Sequence, residues 1–312
     1  LTHAFPRKSL HGITIPFPTP FDEASEIHFS ALRSNLEHWN RNENLSGYVA
    51  LGSTGERVHL NETEARKVIE VAREKIPESR ALIVGAGQQS TRGTIEELRA
   101  FAAIGADAGL VITPFFYRRA LTQTALQSFY LEVAEASPIP VILYNMPDLT
   151  GIALAPETIA RLSEHQNIFG VKDSSSDLLS MMETIRLVQD GFAVMTGNGP
   201  LFYAALGAGI SGAILAVGCV ALDRVIEIKR AFDAGDRFAA ARLHKELVPL
   251  ARAVTSQYGI GGLKAAMEMV GLNGGNVRHP LCLPSAPAIM EIQKALAESR
   301  RTTDSSISAV EV

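Results

Sequence analysis

The sequence predicts an α/β fold, a closed (β/α)8 TIM barrel followed by a C-terminal helical extension. Three observations carry that expectation. Eight short runs rich in β-branched and aromatic residues recur along the chain. Most are continuous apolar stretches rather than alternating ones, as expected of parallel strands buried on both faces. Segments with helical spacing separate them, so the order is βαβα throughout, and eight such units suit a closed barrel better than an open doubly wound sheet.

The strand signals fall at residues 12–17, 48–51, 81–85, 109–113, 140–144, 168–172, 192–196 and 209–215. Between the second and third, Ala65, Val68, Ile69 and Ala72 recur at helical spacing behind Asn61, a residue type that readily caps a helix N-terminus. Strand signals stop after residue 215, while helical ones continue over 236–258, 263–270 and 286–299. The expected organisation is therefore a barrel over 1–235, a helical extension over 236–299, and a flexible tail over 300–312, where Ser, Thr and charge replace apolar periodicity.

Composition narrows the function classes. With 312 residues, 46% of them hydrophobic and 20% charged, the chain has the makeup of an ordinary globular protein with a sizeable core. A net charge of −4 and the lack of a basic stripe interleaved with aromatics argue against a nucleic-acid partner. Apolar stretches are broken well short of the roughly 18 residues a membrane span requires, so no membrane partner is expected. Cys219 and Cys282 are far apart, which fits a reducing, cytoplasmic setting better than a disulfide framework. The eight histidines form no His-x-His or His-Glu-x-x-His cluster, and no metal site is expected.

In a barrel of this kind, the loops following the C-terminal ends of the strands build the active site. Lys172 closes the run Ile168-Phe169-Gly170-Val171, Tyr144 closes Val141-Ile142-Leu143, and Gly52-Ser53-Thr54-Gly55-Glu56 follows Tyr48-Val49-Ala50-Leu51. A desolvated lysine can condense with a ketone to give an imine, an electron sink that permits carbon–carbon bond making or breaking. Beside Asp173, the same lysine equally fits a buried ion pair. Tyr144 could pass protons or simply fill the barrel mouth, and the Gly-Ser-Thr-Gly-Glu segment could receive a carboxylate or be only a tight turn. Glycines at 197, 199, 207 and 209 fit a phosphate site less well than turns and close packing, because no Lys or Arg flanks them. Arg57, Arg118 and Arg119 follow strand ends and are candidates for a second carboxylate.

Taken in order, the motifs Gly52-Ser53-Thr54-Gly55-Glu56, Tyr144-Asn145-Met146-Pro147 and Gly170-Val171-Lys172-Asp173-Ser174-Ser175 resemble those of the N-acetylneuraminate lyase and dihydrodipicolinate synthase family of class I aldolases. The resemblance extends over about residues 11–285. It implies that Lys172 forms a Schiff base with pyruvate or another 2-oxo acid, that Tyr144 is the acid/base, and that Ser53 and Thr54 hold the substrate carboxylate, with the Ser53 hydroxyl in the proton relay. Gly197, and Ile214 through its backbone carbonyl, match further pocket positions. It also implies no cofactor, a 2-oxo acid and an aldehyde as small-molecule partners, and a homo-oligomer, tetramer or dimer.

Two departures from the family pattern bear on the substrate. Members that make dihydrodipicolinate carry an arginine just after the tyrosine motif, and here that place is Leu149. They also supply a second tyrosine across a subunit interface from a Thr-Pro-Tyr-Tyr motif, whereas this chain has Thr113-Pro114-Phe115-Phe116-Tyr117. Phe116 cannot relay a proton, and Tyr117 is displaced by one residue. The expected function is therefore a class I lyase or aldolase acting on pyruvate or a 4-hydroxy-2-oxoglutarate type of acid. Dihydrodipicolinate synthase, a sugar-acid dehydratase and a catalytically silent 2-oxo-acid-binding barrel are the alternatives.

Overall fold

The computed structural model of the chain describes residues 10–300. Eight parallel strands close into a barrel in sequence order: β1 (Ile13–Pro16), β2 (Leu45–Ala50), β3 (Ala81–Ala86), β4 (Ala108–Ile112), β5 (Val141–Asn145), β6 (Ile168–Asp173), β7 (Ala193–Thr196) and β8 (Gly212–Ile214), with β8 pairing back onto β1. Helices α1 (Phe29–Asn40), α2 (Glu62–Lys75), α3 (Thr91–Ala103), α4 (Gln123–Ala136), the single turn α5 (Pro147–Thr150), α6 (Pro156–Ser163), α7 (Leu178–Leu187), α8 (Phe202–Ala208) and α9 (Gly218–Asp233) lie between and after the strands. The (β/α)8 expectation holds because each apolar run has both faces to bury. Val49, Ile83, Leu110, Ile142 and Met195 fill the barrel interior, while alternate residues such as Leu82, Val111, Leu143 and Val171 pack outward against the helices.

Local signals explain the boundaries. Asn61 accepts from the Glu64 N–H while the Glu64 carboxylate accepts from the Asn61 N–H, a reciprocal cap that starts α2 where the sequence places it. The last strand is shorter than the run 209–215 because Gly209, at φ +95°, terminates α8 in the left-handed region before β8 begins. The glycines at 199 and 209 thus serve a turn and a helix end, and the Gly199 carbonyl accepts from His244 Nε2 at 3.1 Å.

Beyond the barrel come α10 (Arg237–Arg252), α11 (Gly259–Met269) and α12 (Ala286–Ser299). The continuous helix expected over 236–258 is interrupted by a π-helical turn, Ala253–Gln257. Pro249 removes one N–H from the ladder just upstream, Thr255 Oγ1 donates back to the Ala251 carbonyl at 2.5 Å, and Gly259 adopts φ +58°. Leu247, Leu250, Leu263, Met267 and Ile292 from these helices join the same buried cluster as the barrel's outer layer. The expected tail lies outside the described residues from 301 onward. Among the described residues, no helix is long and apolar enough to cross a membrane.

Candidate active site

The C-terminal ends of β2, β5 and β6 bring three of the sequence-identified side chains together. Tyr144 and Lys172 are register partners on adjacent strands. Both point into the barrel, because alternate residues of β5, Ile142 and Tyr144, belong to the interior cluster. Lys172 Nζ stands 4.4 Å from the centroid of the Tyr144 ring. The Tyr144 hydroxyl lies 3.0 Å from Ser53 Oγ. Lys172 is 5% and Tyr144 4% exposed, so the lysine and tyrosine are almost wholly buried, while Ser53 is half-buried beside them.

The carboxylate of Asp173 is not available to Lys172. Its Oδ2 accepts from Asn145 Nδ2 at 2.8 Å, and its Oδ1 accepts from the Ser175 N–H at 2.7 Å. Among the described residues no carboxylate lies within ion-pair distance of Lys172. The ion pair that the bare sequence allowed is therefore not formed. Asp173 instead orients the loop after β6 and, through Asn145, ties it to β5, whose Asn145 Oδ1 also accepts from the Leu154 N–H. Asn198 completes the bracing by donating from Nδ2 to the Ser175 carbonyl at 3.0 Å.

Ser53 and Thr54 lie in a single 3-10 turn, Ser53–Gly55, closed by the Gly55 N–H donating to the Gly52 carbonyl at 2.9 Å. The turn is bounded by two non-glycine residues with left-handed backbone, Leu51 at φ +55° and Glu56 at φ +54°. Such residues are uncommon and store strain that the surroundings must hold. Gly85 of β3 makes room for this bend, since a Cβ there would stand 2.0 Å from the Leu51 carbonyl oxygen.

Gly197 follows β7 and donates its N–H to the Asp173 carbonyl at 2.6 Å. A Cβ at this position would stand 2.7 Å from Lys172 Cε, so the glycine is what lets the lysine stem pass. Ile214 closes β8 at the same end of the barrel, with its side chain in the interior cluster. A cleft of about 600 Å³ opens between the loops after β5 and β6, lined by Asn145, Pro147, Asp148, Ser175, Ser176 and Leu179. Neither Lys172 nor Tyr144 lines it.

Other candidates separate from this group. Arg57 pairs with Glu97. Arg118 and Arg119 are exposed. Phe116 and Tyr117 are each 72% exposed and pack edge to face with ring centroids 5.0 Å apart, so within the chain Tyr117 does not take the missing relay position. Leu149 is 60% exposed on α5. Among the described residues, no three His, Cys, Asp or Glu side chains cluster to hold a metal ion. Sequence reading missed the bracing roles of Asn145, Asp173 and Asn198. Their signal is only a polar residue at or just beyond a strand's C-terminal end, which is common where a strand meets a turn.

The chain matches the Dihydrodipicolinate synthetase family over residues 9–299. It is 35% identical over 290 residues to the 4-hydroxy-tetrahydrodipicolinate synthase of Methanothrix thermoacetophila, covering 92% of this chain and 95% of that protein. Its fold superimposes on the dihydrodipicolinate synthase of Bacillus anthracis with a TM-score of 0.88 at 28% identity, covering 92% of this chain and 98% of the other. A third relative, the chloride-inhibited dihydrodipicolinate synthase from Acinetobacter baumannii, solved in complex with pyruvate, gives 0.87 at 28% identity, with 93% and 99% covered. A match along nearly the whole chain, on a barrel whose strand ends gather a lysine, a tyrosine and a serine, leads to one conclusion: the chain belongs to the dihydrodipicolinate synthetase family and is a lyase of the Schiff-base, class I aldolase type.

Proposed function

We propose that Lys172 is the Schiff-base lysine, that Tyr144 and Ser53 carry protons to and from the reacting atoms, and that Ser53, Thr54, Gly197 and Ile214 form the pocket for a 2-oxo acid. The observation that carries this reading is the contiguous set Ser53 Oγ, Tyr144 hydroxyl and Lys172 Nζ, with Asp173 engaged elsewhere. The lysine amine adds to the C2 ketone and the carbinolamine loses its oxygen as water, with the tyrosine hydroxyl supplying and accepting the protons. The protonated imine then withdraws electrons, so that C3 can lose a proton to give an enamine that attacks an aldehyde. Run in reverse, the same steps cleave the bond. N–H groups and hydroxyls of the Ser53–Gly55 turn are suited to a carboxylate.

Pyruvate is the 2-oxo acid we assign, in line with the A. baumannii relative solved with it. Two aldehyde partners have support. The relatives are named 4-hydroxy-tetrahydrodipicolinate synthases, which favours the dihydrodipicolinate synthase alternative, with aspartate semialdehyde as the aldehyde. Leu149, standing where dihydrodipicolinate-forming members carry an arginine, favours instead a 4-hydroxy-2-oxoglutarate type of aldol. Exposed Phe116 and Tyr117 after β4, Leu149 on α5 and Leu179 in the first turn of α7 support the homo-oligomer that the family resemblance implies.

Borohydride reduction in the presence of pyruvate, followed by peptide mapping, tests the lysine. A reduced pyruvoyl adduct on Lys172 is expected, and none in Lys172→Ala. An adduct on another residue, or turnover retained in that variant, refutes the assignment. Parallel assays with pyruvate plus aspartate semialdehyde and with 4-hydroxy-2-oxoglutarate separate the two aldehyde readings by which substrate gives the higher kcat/KM.

A further inference from the structure

A second lysine is buried even more deeply than Lys172, and it is fully engaged. Lys264, on α11, has a completely buried side chain whose Nζ donates to Glu56 Oε1 at 2.6 Å, to the Thr19 carbonyl at 2.7 Å and to the Asn276 carbonyl at 2.5 Å. All three of its protons are used, so it holds rather than reacts. Its partner Glu56, 208 residues away along the chain, has a side chain 1% exposed. Glu56 Oε2 accepts from the Arg278 N–H at 3.0 Å and lies 3.2 Å from His59 Nδ1. The Phe21 ring meets both cations, its centroid 4.6 Å from Lys264 Nζ and 4.4 Å from the Arg278 guanidinium carbon. Burial pushes the Lys264 ammonium below its ordinary pKa, and the Glu56 charge opposes that shift.

The location of the pair gives it meaning. Glu56 is the left-handed residue that ends the Ser53–Gly55 turn, and Thr19, whose carbonyl Lys264 holds, donates its own hydroxyl to the Gly55 carbonyl at 2.8 Å. Both restraints on the far end of the turn therefore converge on one ammonium supplied by the C-terminal extension. The fit is close, since a Cβ on Gly274 would stand 2.2 Å from the Lys264 carbonyl oxygen. A positive-φ residue with a free side chain would relax, whereas one whose carboxylate is tied on both oxygens cannot.

We propose that Lys264 and Glu56 are positioning residues of the active site, whose buried ion pair, delivered by α11, holds the strained Ser53–Gly55 turn in the shape that receives the 2-oxo acid's carboxylate. The inference rests on the assignment of that turn to the carboxylate. It makes the helical extension part of the site's binding machinery, although it contributes no reacting group.

The double variant Lys264→Met, Glu56→Gln removes both charges together, because removing one alone strands the other in the interior. Borohydride trapping at graded pyruvate concentrations gives the half-saturation and the limiting extent of the Lys172 adduct. A turn competent about a tenth of the time raises the half-saturation about tenfold. The expected result is that rise with an unchanged limiting extent, a split that simple loss of stability does not produce. Thr19→Val, which removes only the hydroxyl on Gly55, is expected to move the half-saturation in the same direction by less. Wild-type half-saturation in a folded double variant, or in folded Thr19→Val if the double variant does not fold, overturns the proposal. No Lys172 adduct in the wild type would instead count against the 2-oxo acid reading. Hydrogen exchange of amides 52–59 in Thr19→Val then reads the restraint alone, and unchanged exchange there overturns it.

Discussion

Gly197→Ala is a one-carbon test of the lysine's geometry. The added Cβ would lie 2.7 Å from Lys172 Cε, 2.0 Å from Ser174 Oγ and 3.1 Å from Ser174 Cβ. The serine hydroxyl can rotate away. The lysine stem has to move by about 1 Å to restore an ordinary carbon–carbon contact of about 3.5–4.0 Å. The glycine cannot easily retreat, because its N–H is held by the Asp173 carbonyl at 2.6 Å. It does not have a positive φ, so alanine adds no backbone strain and the steric contact acts alone. Displacing a reacting group by that distance can lower the rate about 100-fold, and overpacking of this size costs about 1–3 kcal/mol of stability. The measurements are kcat/KM, the rate of pyruvate trapping on Lys172, and thermal unfolding. Gly207→Ala is the control: it lies within α8, has no atom near its Cβ position and should be neutral or slightly stabilising. A folded Gly197→Ala enzyme that traps pyruvate within about twofold of the wild-type rate would refute the claim that this glycine sets the lysine's position.

Two further outcomes follow from other parts of the structure. Tyr144→Phe removes the hydroxyl that meets Ser53 Oγ and should lower kcat by about 100-fold or more, with a much smaller change in pyruvate half-saturation; equal loss in both would mean that Tyr144 binds rather than transfers protons. Glu64, held below the usual carboxylate range by its hydrogen bonds to Arg278, should contribute stability that is present above a pH of about 4.5 and lost as pH falls through its folded pKa. Glu64→Gln should therefore be less stable than wild type near neutral pH by about 1–3 kcal/mol. In urea titrations the gap should narrow as pH is lowered, and a gap independent of pH would show that packing, not charge, is responsible.

The apolar runs ending in Leu51, Tyr144 and Lys172 were legible as strands because both faces of a parallel strand must be buried, and that requirement marks every residue of the run. Strand order needed no structure either, since βαβ connections are short and of one hand. Boundaries were less legible where a backbone angle decides them. Gly209 reads as the start of a strand, but its left-handed conformation makes it a helix end. The continuous helix expected over 236–258 gives way to a π turn after Pro249, because neighbours in the fold decide how an interrupted ladder is re-bonded.

The candidate site divides in the same way. Local sequence was enough to single out Lys172, Tyr144 and the Ser53–Thr54 turn, because each stands at the end of a recognisable strand or just beyond it. It could not say whether Asp173 pairs with Lys172, because adjacent residues on a strand point to opposite faces and the partner of each is chosen by other strands. Nor could it connect Glu56 with Lys264, since a pair 208 residues apart leaves no mark on either segment taken alone. What the chain determined by itself is the pattern of burial, and with it the barrel and the strand ends that bear reactive groups. Tertiary structure alone decided which polar groups are satisfied by one another, because a buried donor finds its acceptor across the fold rather than along the chain.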